Sequence, residues 1–214
     1  MKKEFFTRTS GLLAIIFFLQ GCYFPLVATG VVATAVAVTD RRTAGIILED
    51  ETIELKSMNE LSKNFPKDNV SVAVTSFNRA ALLTGWVSSE DLSKEAASLI
   101  ANVENVREII NELNIGPKAT GKMFARDTIL TAKIKASFID EEKLNANVVK
   151  VKSENGTVFL MGIVTQREAS LAADIASRVK GTKRVVKVFE VKSENEIANI
   201  DAVINSQKPK KPSK

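Results

Sequence analysis

The chain repeats itself. Val72 and Val74, followed by Leu83-x-Gly85-x-Val87, return 77 residues later as Val149 and Val151, followed by Leu160-x-Gly162-x-Val164. Ala96, Leu99, Ile100 and Val103 return 76 residues later as Ala172, Ile175, Ala176 and Val179. Both quartets are spaced i, i+3, i+4, i+7, which places four apolar side chains on one helical stripe. Ile109-Ile110 likewise matches Val185-Val186. Similar patterns in the same order mean two copies of one unit, over residues 46–115 and 126–192. Residues 116–125 join them, punctuated by Gly116-Pro117 and Gly121.

Each unit reads helix, strand, strand, helix, strand. In the second, Asp127 is a candidate N-cap, followed by Leu130, Ile134 and Phe138 on one face. Val149 and Val151 alternate with Lys150 and Lys152, as a half-buried strand requires. Asn155-Gly156 is a strong hairpin signal. The first unit follows the same course, with its first helix read over Glu51–Lys63 and a glycine-free turn at Ser76-Phe77-Asn78-Arg79. The fold class is therefore α+β, with two helices covering one face of a three-stranded sheet in each unit. Gly85 and Gly162 sit inside strands, which points to close approach of a helix or to a bulge.

The two copies carry opposite charge. Residues 46–115 hold 6 Lys+Arg against 12 Asp+Glu, a net of −6. Residues 118–192 hold 15 against 8, a net of +7. A common frame thus displays two opposite fields. Such opposition also permits the units to dock on each other, which would use up part of the positive field.

The beginning of the chain is an address. Lys2, Lys3 and Arg8 precede the apolar run Leu12–Leu19, too brief for a membrane span of about 20 residues. Leu19-Gln20-Gly21-Cys22 then resembles a bacterial lipobox, in which the cysteine is acylated and cleavage falls before it. Residues 1–21 are accordingly read as a signal peptide and residues 22–45 as a lipidated apolar tether. The residue after Cys22 is Tyr23 and not Asp, which in such lipoproteins favours the outer membrane, with the body facing the periplasm. The basic tail, residues 193–214, ends Lys208-Pro209-Lys210-Lys211-Pro212 and is expected to be disordered.

Val148-x-x-Val151, Asn155-Gly156-x-Val158-x-Leu160-x-Gly162-x-Val164 and Ala172-x-x-Ile175-Ala176 resemble the BON domain. The order of lipobox, apolar tether, Thr39-Asp40-Arg41-Arg42-Thr43 and two such units resembles the dual-BON outer-membrane lipoprotein family of the DolP/YraP type. The resemblance implies two tandem αββαβ BON domains with mixed sheets and a role in maintaining outer-membrane integrity. It also implies binding of anionic phospholipid, phosphatidylglycerol or cardiolipin, through the first helix of the second domain. On that helix the candidate contacts are Arg126, Ile129, Leu130, Lys133, Ile134 and Lys135. Long basic side chains can snorkel while apolar neighbours dip into the headgroups. The competing reading makes Leu130, Ile134 and Phe138 an ordinary core face with Lys133 and Lys135 on its solvated side. A second basic cluster, Lys180, Lys183, Arg184 and Lys187, either adds a lipid patch or solubilises an edge.

Composition closes other routes. There is no His and one Cys, which excludes imidazole catalysis, His-ligated metal and CxxC sites. No cofactor is expected beyond acyl chains on Cys22, no phosphate loop is present, and no enzyme is expected. Nucleic acid is an unsuitable target, since RRM-like aromatic motifs and zinc fingers are missing. The alternative function is an adaptor whose acidic first domain docks outer-membrane assembly proteins.

Overall fold

The computed structural model describes residues 40–65 and 70–206. The signal peptide, Cys22 and residues 22–39 of the tether lie outside the described residues, as does the end of the tail. The first domain runs α1 (Ala44–Asn64), β1 (Val70–Phe77), β2 (Ala80–Val87), α2 (Glu90–Ala101) and β3 (Glu108–Ile115). The second runs α3 (Gly121–Ile139), a 3-10 turn at Ala146–Val148, β4 (Lys150–Glu154), β5 (Thr157–Thr165), α4 (Gln166–Arg178) and β6 (Arg184–Lys192). A final helix, α5, spans Glu194–Ser206.

Each sheet has three strands, in the orders β1-β2-β3 and β4-β5-β6. The hairpin partner pairs antiparallel with the central strand and the last strand pairs parallel with it, so both sheets are mixed. Parallel pairing needs a crossover, which α2 and α4 supply. Ile53, Leu61, Val74, Leu83, Ala96 and Ile100 form the first core. Leu130, Ile134, Phe138, Val151, Leu160 and Ala172 are among those forming the second. The repeated helical stripe and the alternating strand residues meet inside each domain.

Both first helices begin earlier than their apolar patterns indicate. The Thr43 hydroxyl accepts from the Ile46 amide and starts α1, well before Glu51. The Thr120 hydroxyl accepts from the Met123 amide and starts α3, so residues 121–125 are helix and not linker. Asp127 is therefore no N-cap. Its buried carboxylate accepts from the amides of Asn155 and Gly156, at 2.8 and 2.9 Å, and pins the β4–β5 hairpin. Asp50 does the same work 77 residues earlier. It accepts from the amides of Asn78 and Arg79 at 2.7 and 2.8 Å and from the Ser76 hydroxyl at 2.7 Å.

These contacts explain a turn without glycine. Asn78 and Arg79 have φ of 50° and 66°, matching Asn155 and Gly156 at 52° and 77°. Two successive left-handed residues are what a tight hairpin turn of the primed type requires. Arg79 adopts this disfavoured conformation because Asp50 holds its amide.

The strand glycines admit close backbone, the neighbouring strand β1 at Gly85 and the 3-10 turn before β4 at Gly162. A Cβ on Gly85, whose φ is +118°, would lie 1.9 Å from the Ser71 carbonyl oxygen. One on Gly162 would lie 2.4 Å from the Val148 carbonyl oxygen.

The sheet faces not covered by their own helix pairs meet each other. Phe77 and Leu82 of the first domain cluster with Phe159, Met161 and Ile163 of the second, and with Ile197 of α5. Charge complements this seam. Lys150 Nζ donates to Glu54 at 2.9 Å and to the Ser76 carbonyl at 3.0 Å. Arg184 pairs with Glu112, and Arg107 with Glu190 at 3.5 Å.

Two consecutive arginines enter different domains. Arg41, 9% exposed, donates to Glu168 at 2.7 and 3.0 Å, to the Ile163 carbonyl at 2.9 Å and to Asp201 of α5 at 3.0 and 3.1 Å. Arg42 donates to Asp50 at 2.7 Å and lies 4.1 Å from the centroid of the Phe77 ring. Burial raises the Glu168 carboxyl, but hydrogen bonds from Arg41 and the Thr165 amide outweigh it and leave its pKa below the ordinary range.

Residues 194–206, read as disordered from the lysines and prolines that follow, are helical. Ile197 is buried and Ile200 half-buried against the seam, and Asp201 meets Arg41. Apolar spacing and one partly exposed ion pair to a buried arginine thus order this segment.

Candidate functional site on the second domain

Helix α3 divides its residues between two environments. Leu130 and Ile134, candidates for lipid contact from sequence, are 4% and 0% exposed and belong to the core. That corrects the expectation for Ile134, which cannot reach a ligand surface without α3 leaving its sheet, and reduces Leu130 to a core residue that shows only an edge. Ile129 is 56% exposed, and Arg126, Lys133 and Lys135 are exposed beside it. A helix packed on a sheet by one stripe must present the other, and here the other is basic, with Phe124 and Ile139 exposed towards its ends and Ile129 near its centre.

The fold adds residues that helical spacing alone does not bring in. Parallel pairing of β6 with β5 carries the α4–β6 loop to the end of the sheet where the β4–β5 hairpin turns. The Lys183 amide donates to the Gly156 carbonyl at 2.8 Å and fixes the loop there. Lys180 and Lys183 then face Arg126, Lys133 and Ile129 across an open cleft of about 410 Å³. Leu130 contributes to its apolar lining, and Asn155-Gly156 forms part of one wall. The second basic cluster therefore splits. Lys180 and Lys183 join the α3 face, Arg184 is taken by Glu112, and Lys187 lines a groove between the domains. The readable signal was the strand order, which implies a parallel last strand and hence convergence of its preceding loop on the hairpin.

Docking of the acidic domain leaves this field intact. Among the described residues, Arg126, Lys133, Lys135, Lys180 and Lys183 make no ion pair with any carboxylate. The far end of α3 also meets the start of the described chain. Lys135 and Ile139 share a cleft of about 250 Å³ with Asp40 and Arg42. The chain thus leads into its two domains beside the basic helix.

One carboxylate near the site works against folding at neutral pH. Burial pushes Glu154 above the ordinary carboxylate range; Lys152 pulls against this and Asp127 adds to it. A raised folded pKa means the fold favours the protonated form, so stability falls as pH rises from the unfolded value through the folded one. Glu154→Gln is expected to raise the melting temperature at pH 7, and the gain should vanish in acid. Melting curves across that pH range check it, and an equal gain at every pH would contradict it.

Among the described residues no cluster of acidic or sulfur ligands could hold a metal ion, and no helix is long and apolar enough to cross a membrane. Two stretches of the chain, residues 49–117 and 126–193, match the BON domain family. Outer membrane lipoprotein DolP of Haemophilus influenzae is 42% identical over 180 residues, covering 84% of this chain and 93% of that protein. The 21 kDa hemolysin of Actinobacillus pleuropneumoniae is 35% identical over 151 residues, covering 70% and 78%. Among solved structures, CdsD, a structural protein of the type III secretion system of Chlamydia trachomatis, aligns with 75% of this chain and 70% of its own. Its TM-score is 0.28 at 16% identity, too remote a likeness to carry function. With two matching domains and a 42% identical relative spanning most of its length, this chain belongs to the BON domain family, among the outer-membrane lipoproteins of the DolP type.

Proposed function

We propose that this protein is acylated on Cys22, faces the periplasm from the outer membrane and binds anionic phospholipid through its second BON domain, and thereby helps to maintain the outer membrane. The observation that carries the reading is the unpaired basic face of α3 and the α4–β6 loop, next to the end of the protein from which the tether leads. Arg126, Lys133, Lys180 and Lys183 surround a concave surface sized for a headgroup, and Ile129 is the apolar residue placed to enter the interface.

The magnitudes require both attachments. Each basic residue near an anionic surface contributes about 1 kcal/mol, so a handful gives affinity only in the millimolar range on its own. Acyl chains raise the local concentration of lipid and make such weak contacts effective. The acyl chains hold the protein, and the domain selects where it dwells. No step of this mechanism is catalytic.

The test uses the chain from Thr39 onward with vesicles of phosphatidylcholine, with or without phosphatidylglycerol or cardiolipin. Binding should appear only with the anionic lipids and should weaken steeply as salt rises. Arg126→Glu with Lys133→Glu should lower vesicle binding by about tenfold or more, with unchanged melting temperature, because both side chains are solvent-exposed. Binding that ignores lipid charge would end the reading.

A further inference from the structure

The duplication extends to the cleft itself. The first domain has a cleft of about 440 Å³ at the equivalent end of its sheet, and Ile46, Glu49, Thr52, Arg79 and Asn105 help to line it. The 77-residue offset sets the first four of these against Met123, Arg126, Ile129 and Gly156, and the 76-residue offset sets Asn105 against Gly181. The backbone agrees. The Arg107 amide donates to the Arg79 carbonyl at 2.9 Å, as the Lys183 amide does to the Gly156 carbonyl at 2.8 Å. Asn105 and Gly181, with φ of 69° and 114°, carry the two loops through the same left-handed bend. Each cleft also has an exposed aliphatic residue at its rim, Leu48 in the first domain and Ile129 in the second.

Charge is what differs. Around the second cleft, Arg126, Lys133 and Lys180 have no carboxylate partner among the described residues. In the first domain Glu49 stands at the place of Arg126, and Glu104 at the place of Lys180. Glu104 accepts at 2.6 Å from Lys56, the counterpart of Lys133. An ion pair therefore joins α1 to the α2–β3 loop, where in the second domain two cations face each other. Glu49 accepts from Arg79 at 2.6 Å. Ion pairs on exposed side chains add little to stability. Their consequence here is on the field: the charges of these four side chains cancel, so the cleft offers an anion no net attraction.

We propose that the first domain's cleft is a headgroup site silenced by Glu49 and Glu104, and that these two residues, against Arg126 and Lys180, decide which domain grips anionic lipid. The inference rests on the lipid reading of the second cleft and extends it in both directions. A carboxylate at position 180 would pair with Lys133 as Glu104 pairs with Lys56, and would silence the second cleft. The first domain already has the concavity and an aliphatic rim, so exchanging two side chains should open it.

The test uses the chain from Thr39 onward, which holds both domains and their seam, with vesicles of phosphatidylcholine and phosphatidylglycerol. K180E alone should lower binding by about tenfold or more. In the R126E/K133E background, E49R/E104K should raise binding by about tenfold, with none gained on phosphatidylcholine alone. D91K/E95K makes the same change of charge on exposed residues in the first half of α2, away from the cleft, and should raise it by no more than about twofold. E49Q/E104Q only releases Arg79 and Lys56; it should recover about a third of the gain, and it stands in if the fuller exchange fails to fold. An equal gain from D91K/E95K, no gain from either exchange at positions 49 and 104, or indifference to K180E would each overturn the proposal. If R126E/K133E leaves binding intact, the lipid reading itself falls and this inference with it. Loss in that background without recovery overturns this inference alone.

Discussion

Gly85→Ala is expected to prevent stable folding of the first domain. The added methyl would sit 1.9 Å from the Ser71 carbonyl oxygen, and the obstacle is backbone, not a flexible side chain. Ser71 pairs with Trp86 in the β1–β2 ladder, so relief means breaking that pairing. The φ of +118° adds strain for any residue with a Cβ. Together these should cost about 4 kcal/mol or more, a large share of the stability of a small domain. Gly162→Ala meets the Val148 carbonyl at 2.4 Å, in the short 3-10 turn before β4. That segment lies outside the strand ladder and can shift, so the cost should be smaller. Urea titrations of the two variants would rank them, and equal midpoints would refute the distinction.

The second large effect concerns Asp50. Removing its carboxylate in Asp50→Ala strands the amides of Asn78 and Arg79, the Ser76 hydroxyl and one arm of the Arg42 guanidinium. A buried donor left without its acceptor costs about 1–3 kcal/mol, and the Arg42 charge keeps its ion pair with Asp40. These losses are not additive, and about 4 kcal/mol is the expected net change. Asp127→Ala removes the equivalent carboxylate, yet only two backbone amides depend on it. Its cost should be about half as large. Arg79→Gly in the Asp50→Ala background should recover part of the loss, because glycine adopts the left-handed conformation without an anchor. Chemical denaturation of the three variants tests this order, and an Asp127→Ala loss as large as that of Asp50→Ala would contradict it.

Why the sequence disclosed one part of this protein and concealed another follows from range. The αββαβ order was legible because each strand and helix repeats its own apolar spacing, and the duplication supplied each pattern twice. The helix starts at Thr43 and Thr120 were missed because Gly45 and Gly121 weaken the periodic signal where each helix begins. Asp127 could be recognised as important, but its role required knowing that the hairpin 28 residues later folds back over it. On α3 the spacing was compatible with lipid contact or with a core. Burial divides the candidates, sending Leu130 and Ile134 inward and leaving Arg126, Ile129, Lys133 and Lys135 outside. Lys180 and Lys183 join them through the parallel pairing of β6, a relation no local window contains. The helix at 194–206 carries its own apolar spacing, Ile197 and Ile200 followed by Ile204, but the adjoining Lys-Pro composition masked it.

The neighbouring Arg41 and Arg42 have a mechanical meaning. A protein held by its leading end feels drag wherever that end enters the body. Here the entry residues are bolted to separate halves, one through Glu168 and Asp201 and the other through Asp50. On the anchoring proposed above, traction on the leading end would be divided between the two halves at Arg41 and Arg42 and would not peel one from its twin.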